Sequence, residues 1–502
     1  MISIEHVTVE YEKGIKALDD FSLMIKPGEL IVLCGKSGCG KTTATRLING
    51  LIPHFYQAEM FGKVVINDDD TKDMEISEIA EHVGSVFQNP KSQFFNINTT
   101  AELAFGCENR GLDKNTIFKK MHDSVEAFGI QRLVNRDIFS LSGGEKQMIA
   151  CGSIYATTPS IMVLDEPSSN LDLKSIGKLR TILKKLKENG VTIIVSEHRL
   201  HYLNHIADRY IYMENGKVIR EYDYEAIKSI PDERRTEMGL RMLSWEELLF
   251  KERKRENSGK IVLSLDDFHY ERGGKSIFHI PRLNIEKHSI VGVIGNNGVG
   301  KTTFISSLIG LLKYRGNVIV DTHKIKRKVL TRKGFLVMQD VNRQLFGSNV
   351  SEEVSLGIKD KDENRINELL EEFSLEELKS KHPATLSGGQ KQRLAIASAI
   401  YSQKQFLYFD EPTSGLDKQS MIAFSDILLH IRDKAECIFV ITHDPELLFS
   451  CADFILKLED NQTYDYYPMD RNGIEKTKRY FYDAYAKGEW NVKENFLLWE
   501  RE

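Results

Sequence analysis

The sequence predicts an α/β fold built twice, as two domains each organised around a mostly parallel β-sheet. Three observations predict it. The same ordered set of short segments occurs in both halves of the 502-residue chain, which marks an internal repeat. In each half, strand-length apolar runs alternate with helical periods, the pattern of a parallel sheet with crossover helices. A chain of this length also exceeds what one hydrophobic core can serve.

The repeat sets the domain organisation. Lys301 follows Lys41 by 260 residues and Gln339 follows Gln88 by 251, whereas the pairs Ser142/Ser387, Asp165/Asp410 and His198/His443 all differ by 245. A constant offset across the last three marks a rigid stretch, and the variation before them marks tolerated surface insertions. We expect a first domain over 1–220, a charged linker over 221–258, a second domain over 259–460 and a tail over 461–502. The linker carries Pro231-Asp232-Glu233-Arg234-Arg235 and Lys251-Glu252-Arg253-Lys254-Arg255, which suit a solvated connection. Its segment Met242 to Phe250 could form a short amphipathic helix, with Trp245 packing it onto a domain. The tail's Tyr464, Tyr466, Tyr467, Tyr480 and Tyr482 are read first as packing residues.

Composition narrows the class. Apolar residues make up 41% and charged residues 28%, ordinary for a folded soluble domain. The longest apolar runs, Val191–Val195 and Ile290–Ile294, fall far short of the ~20 residues a bilayer span needs. Met1 to His6 lacks the charged and apolar regions of a secretory signal. Cys34, Cys39, Cys107, Cys151, Cys437 and Cys451 form no C-x-x-C pair, which argues against a zinc or disulfide framework. A net charge of −5 gives no general pull toward nucleic acid.

The first paired element is a phosphate-binding loop. Gly35-Lys36-Ser37-Gly38-Cys39-Gly40-Lys41-Thr42 follows Leu30–Leu33, and Gly295-Asn296-Asn297-Gly298-Val299-Gly300-Lys301-Thr302 follows Ile290–Ile294. Both match G-x-x-x-x-G-K-[ST] in a strand-to-helix setting. Glycines (Gly35, Gly38 and Gly40; Gly295, Gly298 and Gly300) let successive N–H groups face phosphate oxygens, and the helix adds its positive end. Lys41 and Lys301 reach toward the terminal phosphates, Thr42 and Thr302 toward Mg²⁺, with Thr43 and Thr303 beside them.

Two acids end a later strand in each half: Asp165-Glu166 after Ile161–Leu164 and Asp410-Glu411 after Phe406–Phe409. A strand delivers such groups to the crevice at its carboxyl end. Asp165 and Asp410 are expected in the Mg²⁺ shell, and Glu166 and Glu411 as general bases toward water. The helical period Ile176, Leu179, Ile182, Leu183, Leu186 leads through Gly190 to a strand that ends at His198, and the second half reaches His443 in the same register. These histidines are assigned to sensing the terminal phosphate and holding the water.

Leu141-Ser142-Gly143-Gly144-Glu145 and Leu386-Ser387-Gly388-Gly389-Gln390 resemble the signature of ATP-binding-cassette (ABC) ATPases. With the loops above, the resemblance covers about 400 residues. It implies two P-loop NTPase domains, each with a mostly parallel core sheet, an antiparallel β subdomain and a helical signature subdomain. It further implies that Tyr11 and Tyr270 stack on adenine, that Gln88 and Gln339 link Mg²⁺ and water to a membrane partner, and that Ser168–Asp172 and Thr413–Asp417 couple the two sites. By the same resemblance the cassettes pair within the chain, Ser387, Gly388 and Gly389 completing the ATP site of Lys41, and Ser142, Gly143 and Gly144 that of Lys301. Glu145 in place of the commoner glutamine, and Ser196-Glu197 before His198, depart from the pattern.

Phe87-Gln88-Asn89-Pro90-Lys91-Ser92-Gln93-Phe94-Phe95, Ala101–Gly106, Met338–Phe346 and Leu51-Ile52-Pro53-His54-Phe55 resemble the ATPases of energy-coupling factor (ECF) transporters. That resemblance implies a prokaryotic protein peripheral to the cytoplasmic face of the membrane. Its partners would be an integral-membrane coupling (T) subunit and a substrate-binding (S) subunit that import a vitamin or a transition-metal ion. No nucleic acid is expected. Two other readings stay open: the tandem ATPase of a sugar importer, whose second signature is typically altered whereas this one is intact, and a ribosome-associated tandem ATPase, toward which the basic run Lys324–Lys328 points.

Overall fold

The apolar runs form strands buried on both faces, the pattern a parallel sheet requires when helices cover each side. The computed structural model describes residues 1–12, 14–169, 171–248, 250, 259–459 and 463–499. Two units emerge. One gathers Met1–Glu247 with Gly415–Gln419 and the last helix from Phe481, and the other comprises Leu248–Ser414 and Ser420–Tyr480.

In the first unit a six-stranded sheet runs Lys217–Tyr222, Arg209–Glu214, Leu30–Gly35, Thr192–Ser196, Ile161–Asp165, Val83–Val86. All neighbours are parallel except the antiparallel pair Lys217–Tyr222 and Arg209–Glu214. A second, four-stranded antiparallel sheet is formed by Ile15–Ile25, Ile2–Glu12, Glu59–Ile66 and Asp69–Asp70. Between the two sheets lies the helix Lys41–Ile48: Leu47 and Ile48 share one core with Phe21 and Val64 of the antiparallel sheet and Leu33, Val163 and Ile194 of the parallel one.

The second unit repeats the plan. Its six-stranded sheet runs Gly334–Val337, Phe406–Asp410, Cys437–Ile441, Ser289–Ile294, Phe454–Leu458, Tyr464–Pro468, the last strand antiparallel. Its antiparallel sheet orders Lys275–Glu286, Ile261–Arg272, Arg315–Val320 and His323–Lys324. Tyr464–Pro468, in the predicted tail, is thus the edge strand of this core sheet, and the chain continues as the helix Arg471–Trp499.

Each unit adds helices between the strand before the acids and the one preceding it: Thr99–Asn109, Lys114–Phe128 and Gly143–Ala156 in the first, Val350–Val354, Glu363–Glu372 and Gly388–Tyr401 in the second. The first two of each set are shorter in the second unit, and the change in offset from 251 to 245 falls in this region, between the glutamine and serine marks.

The linker differs from a solvated segment over the part described. Leu240, Arg241, Met242, Leu243 and Ser244 are buried in succession, a pattern no amphipathic helix produces, and only Trp245–Glu247 turns, as a 3₁₀ helix. Trp245 lies edge-on against His201 with ring centroids 4.9 Å apart. Arg235, buried, pairs with Glu247 at 2.6 Å. Leu249 and Lys251–Arg255 lie outside the described residues. The six cysteines are all buried. Because removal of one partner strands the other charge, Arg235→Ala is expected to cost about 3 kcal/mol. Urea unfolding of the full chain in an Arg235/Glu247 double-mutant cycle checks this.

Candidate ATP sites

The phosphate loops set the geometry. Gly40 and Gly300, the last residues before each loop lysine, both hold φ at 105°, a left-handed backbone that side chains resist. A Cβ at Gly40 would lie 2.7 Å from the Ala17 carbonyl of the antiparallel sheet. Glycine therefore lets the loop close against that sheet. Lys41 is buried, its Nζ donating to the carbonyls of Gly35 at 3.0 Å and Lys36 at 2.9 Å. Lys301 repeats this with Gly295 at 2.8 Å and Asn296 at 3.0 Å. Each ammonium is held across its own loop, with the helix amino ends directed at the same space.

Thr42 Oγ1 donates to Asp165 Oδ1 at 3.4 Å, and Thr302 Oγ1 to Asp410 Oδ2 at 3.2 Å. The next residues, Glu166 and Glu411, have φ of 44° and 48°. Their amides are fastened to the carbonyls of Ser196 and Ile441 at 2.8 and 2.9 Å, the strand leading to each histidine. His198 Nε2 lies 3.6 Å from Glu166 Oε1, and His443 Nε2 3.7 Å from Glu411 Oε1. The structure therefore gathers lysine, threonine, aspartate, glutamate and histidine at the carboxyl end of each parallel sheet.

Gln88 Nε2 donates to Glu166 Oε2 at 2.6 Å, which brings the glutamine loop to the first acid pair. Gln339 occupies the matching place after Gly334–Val337. Burial, with the Glu197 and Asp165 charges, pushes the Glu166 carboxyl up to about 8 against the pull of Lys41 and Gln88. Burial and then the Lys41 charge hold His198 well below its ordinary value, so it is neutral. Burial also raises Asp410.

Tyr11 Oη lies 3.4 Å from Thr43 Oγ1 and accepts from Arg46 at 3.0 Å, placing an exposed ring beside the first loop helix. Tyr270 packs on Phe278 with centroids 6.4 Å apart. Thr303 is half-buried on the second loop helix. Ser142 and Ser387 each cap a helix in a reciprocal capping box with Glu145 and Gln390. The glutamate thus does the same capping as glutamine, its carboxylate accepting from Ser142 N at 2.8 Å. Gly143, Gly144, Gly388 and Gly389 form the first turns behind these caps. Asn170 lies outside the described residues. Asp417, within the first unit, accepts from Ser37 N in the phosphate loop at 2.7 Å.

Several positioning residues escape a motif reading. Glu197 is buried and accepts from the amides of Ser168, His198 and Arg199 at 3.3, 2.8 and 3.1 Å and from Tyr202 Oη at 2.8 Å. It ties the loop after Glu166 to the loop after His198. In the second unit Asp444, one residue after the histidine, holds Thr413 Oγ1 at 2.7 Å instead. Glu102 and Glu353 are also buried. Glu102 accepts from Phe95 N and Asn96 N at 3.1 and 2.9 Å, and Glu353 from Phe346 N and Gly347 N at 2.7 and 2.5 Å. The shared offset of 251 was the available signal.

A family model described as ABC transporter matches residues 18–169 and 278–414. The chain belongs to the ABC transporter family, as a tandem ATPase. A protein of Treponema denticola named as an ABC transporter ATP-binding protein is 42% identical over 91% of this chain and 95% of its own length. YkoD of Bacillus subtilis, named for HMP/thiamine import, is 31% identical over 92% and 90%. An archaeal ribosome recycling factor, solved with the ribosomal stalk protein aP1, shares the fold with a TM-score of 0.61 at 21% identity, over 92% of this chain and 90% of that one. This ABC ATPase therefore carries two P-loop cassettes, each with a parallel-rich sheet, an antiparallel sheet and helices.

Because the folded chain holds the Glu166 proton up to about 8 against an ordinary 4.5, the native state binds more protons between those values and loses stability as pH rises through them. Glu166→Gln removes that loss. The melting temperature of the nucleotide-free variant, minus that of the wild type, is expected to grow from pH 5 to pH 8.5 in thermal denaturation.

Proposed function

We propose that this chain is the ATP-hydrolysing motor of an ABC importer of energy-coupling factor type, docked at the cytoplasmic face of a prokaryotic membrane. It would serve an integral-membrane coupling subunit and a substrate-binding subunit that take up a vitamin or a transition-metal ion. One observation carries the reading: each glutamine loop ends in an aromatic residue that the fold fastens outward. Phe95 is 77% exposed and Phe346 74%, yet their amides are pinned by the buried carboxylates of Glu102 and Glu353. Met338, Ile97 and Phe139 are exposed as well. Rigidly displayed apolar side chains on the loop that carries each glutamine suit a docking surface. The relation to YkoD, named for HMP/thiamine import, supports the vitamin class.

In this reading Gly35, Gly38, Gly40 and Lys41 cradle one set of phosphates and Gly295, Gly298, Gly300 and Lys301 the other, with Tyr11 and Tyr270 under the bases. Thr42, Asp165 and Gln88, and Thr302, Asp410 and Gln339, would hold Mg²⁺. The adjacency of Thr42 and Asp165 gives the oxygen donors a hard cation takes, and the ion supplies charge neutralisation on the phosphates. Glu166 and Glu411 accept the proton of the attacking water, and a carboxyl poised near working pH suits that task. His198, kept neutral, and His443 orient water against the terminal phosphate.

The basic segment Arg327–Lys333 is a short helix that turns Leu330 inward and exposes Arg327, Lys328 and Arg332, as a solvated helix face does.

Purification of the chain from its native membrane, with mass spectrometry of the complex, tests the transport reading. Two integral-membrane partners are expected, and Phe95→Ser with Phe346→Ser should release them while ATP still binds. Recovery with ribosomes and no membrane protein contradicts it. Glu166→Gln with Glu411→Gln is expected to keep nucleotide binding and lower turnover by at least about 100-fold, read in a steady-state phosphate-release assay.

A further inference from the structure

The antiparallel sheet of the second unit carries a group of side chains that ATP chemistry does not use. His269 and His279 stand directly opposite on the neighbouring strands Ile261–Arg272 and Lys275–Glu286. Their neighbours Phe268, Phe278 and Ile280 are buried, so alternation turns both imidazoles to the outer face. Asp267, two residues before His269, shares that face. It sits where the register with Arg315–Val320 shifts between Asp266 and His269, with φ at 50°. Gly316 makes the bulge possible: a Cβ there would lie 2.0 Å from the Asp267 carbonyl oxygen. Bulges of this kind re-aim a side chain.

The result is a convergent donor set. His279 Nε2 lies 2.8 Å and His269 Nδ1 3.5 Å from Asp267 Oδ1. One ligand atom from each of the three residues falls within 4.8 Å of the others, and this is the one such group among the described residues. The Asp267 carbonyl oxygen, 2.8 Å from His269 Nδ1, is a neighbouring fourth donor atom. Donors spaced this way can surround an ion at the ~2.0–2.2 Å bond lengths of zinc, since atoms at adjacent tetrahedral corners lie about 3.3 Å apart. Two imidazoles and one carboxylate suit a late first-row divalent ion and not Mg²⁺ or Ca²⁺, which take oxygen.

The first unit supplies a natural contrast. Its equivalent bulge places His6, φ 49°, against Asp20 at 2.7 Å, with Gly62 in the role of Gly316. Thr8 stands two residues on, where the second unit has His269. The same scaffold therefore carries a His–Asp contact in one cassette and a third donor in the other.

We propose that Asp267, His269 and His279 form a surface site for a divalent transition-metal ion of the Zn²⁺ or Ni²⁺ class, separate from the ATP sites. Calorimetric titration of the untagged full chain with Zn²⁺ alone and with Ni²⁺ alone, free of nucleotide, tests it. The buried cysteines do not compete. Wild type is expected to bind one equivalent that His269→Thr weakens at least about tenfold, with ATPase activity unchanged. Co²⁺ should give visible d–d absorption that the same change abolishes. If His269→Thr does not fold, His279→Gln reads the same equivalent. An unaltered isotherm and Co²⁺ spectrum in a folded variant overturn the site.

Discussion

The closing of each phosphate loop against the antiparallel sheet is the constraint from which the rest of both cassettes follows. Gly40 and Gly300 share one left-handed conformation, and that lets the loop turn sharply enough for Lys41 and Lys301 to fold back onto its carbonyls. The loop helix is then trapped between two sheets whose side chains meet in one core. An anion cradle made of backbone amides needs such support, because its N–H groups must be held in place without water before the phosphate arrives.

Once the loop is placed, the parallel sheet brings the remaining chemistry to it. The strands ending at Asp165 and Ser196 are neighbours in register, so Glu166 and His198 emerge side by side. The same holds for Asp410 and Ile441 in the second cassette. The positive φ of Glu166 and Glu411 is a local cost of roughly 1 kcal/mol or more, tolerated because each amide is anchored to the next strand.

The two sites are alike in these groups and unlike in what steadies them. Around the first histidine, Glu197 is buried among four donors. Around the second, Asp444 caps the following helix and holds Thr413. The carboxylate has moved from one side of the histidine to the other. Its presence near Glu166 is one cause of that group's raised proton affinity, so the first site carries an electrostatic tuning that derives from its departure from the family pattern.

The sequence by itself determined the doubled α/β plan and the residues that gather at each candidate site. Glycine-rich loops, strand-terminal acids and strand-terminal histidines are local patterns whose chemistry follows from residue type and spacing. Tertiary structure alone decided what holds them. The acceptance of Phe95 N by Glu102, the tie between Glu197 and Ser168, and the convergence of Asp267 with His279 join residues through folding, bulges and burial, and no short-range period encodes them. The same distinction explains the linker. Its charges read as solvated, but Arg235 is buried because Glu247, brought back by a turn, supplies the counter-charge that a buried guanidinium requires.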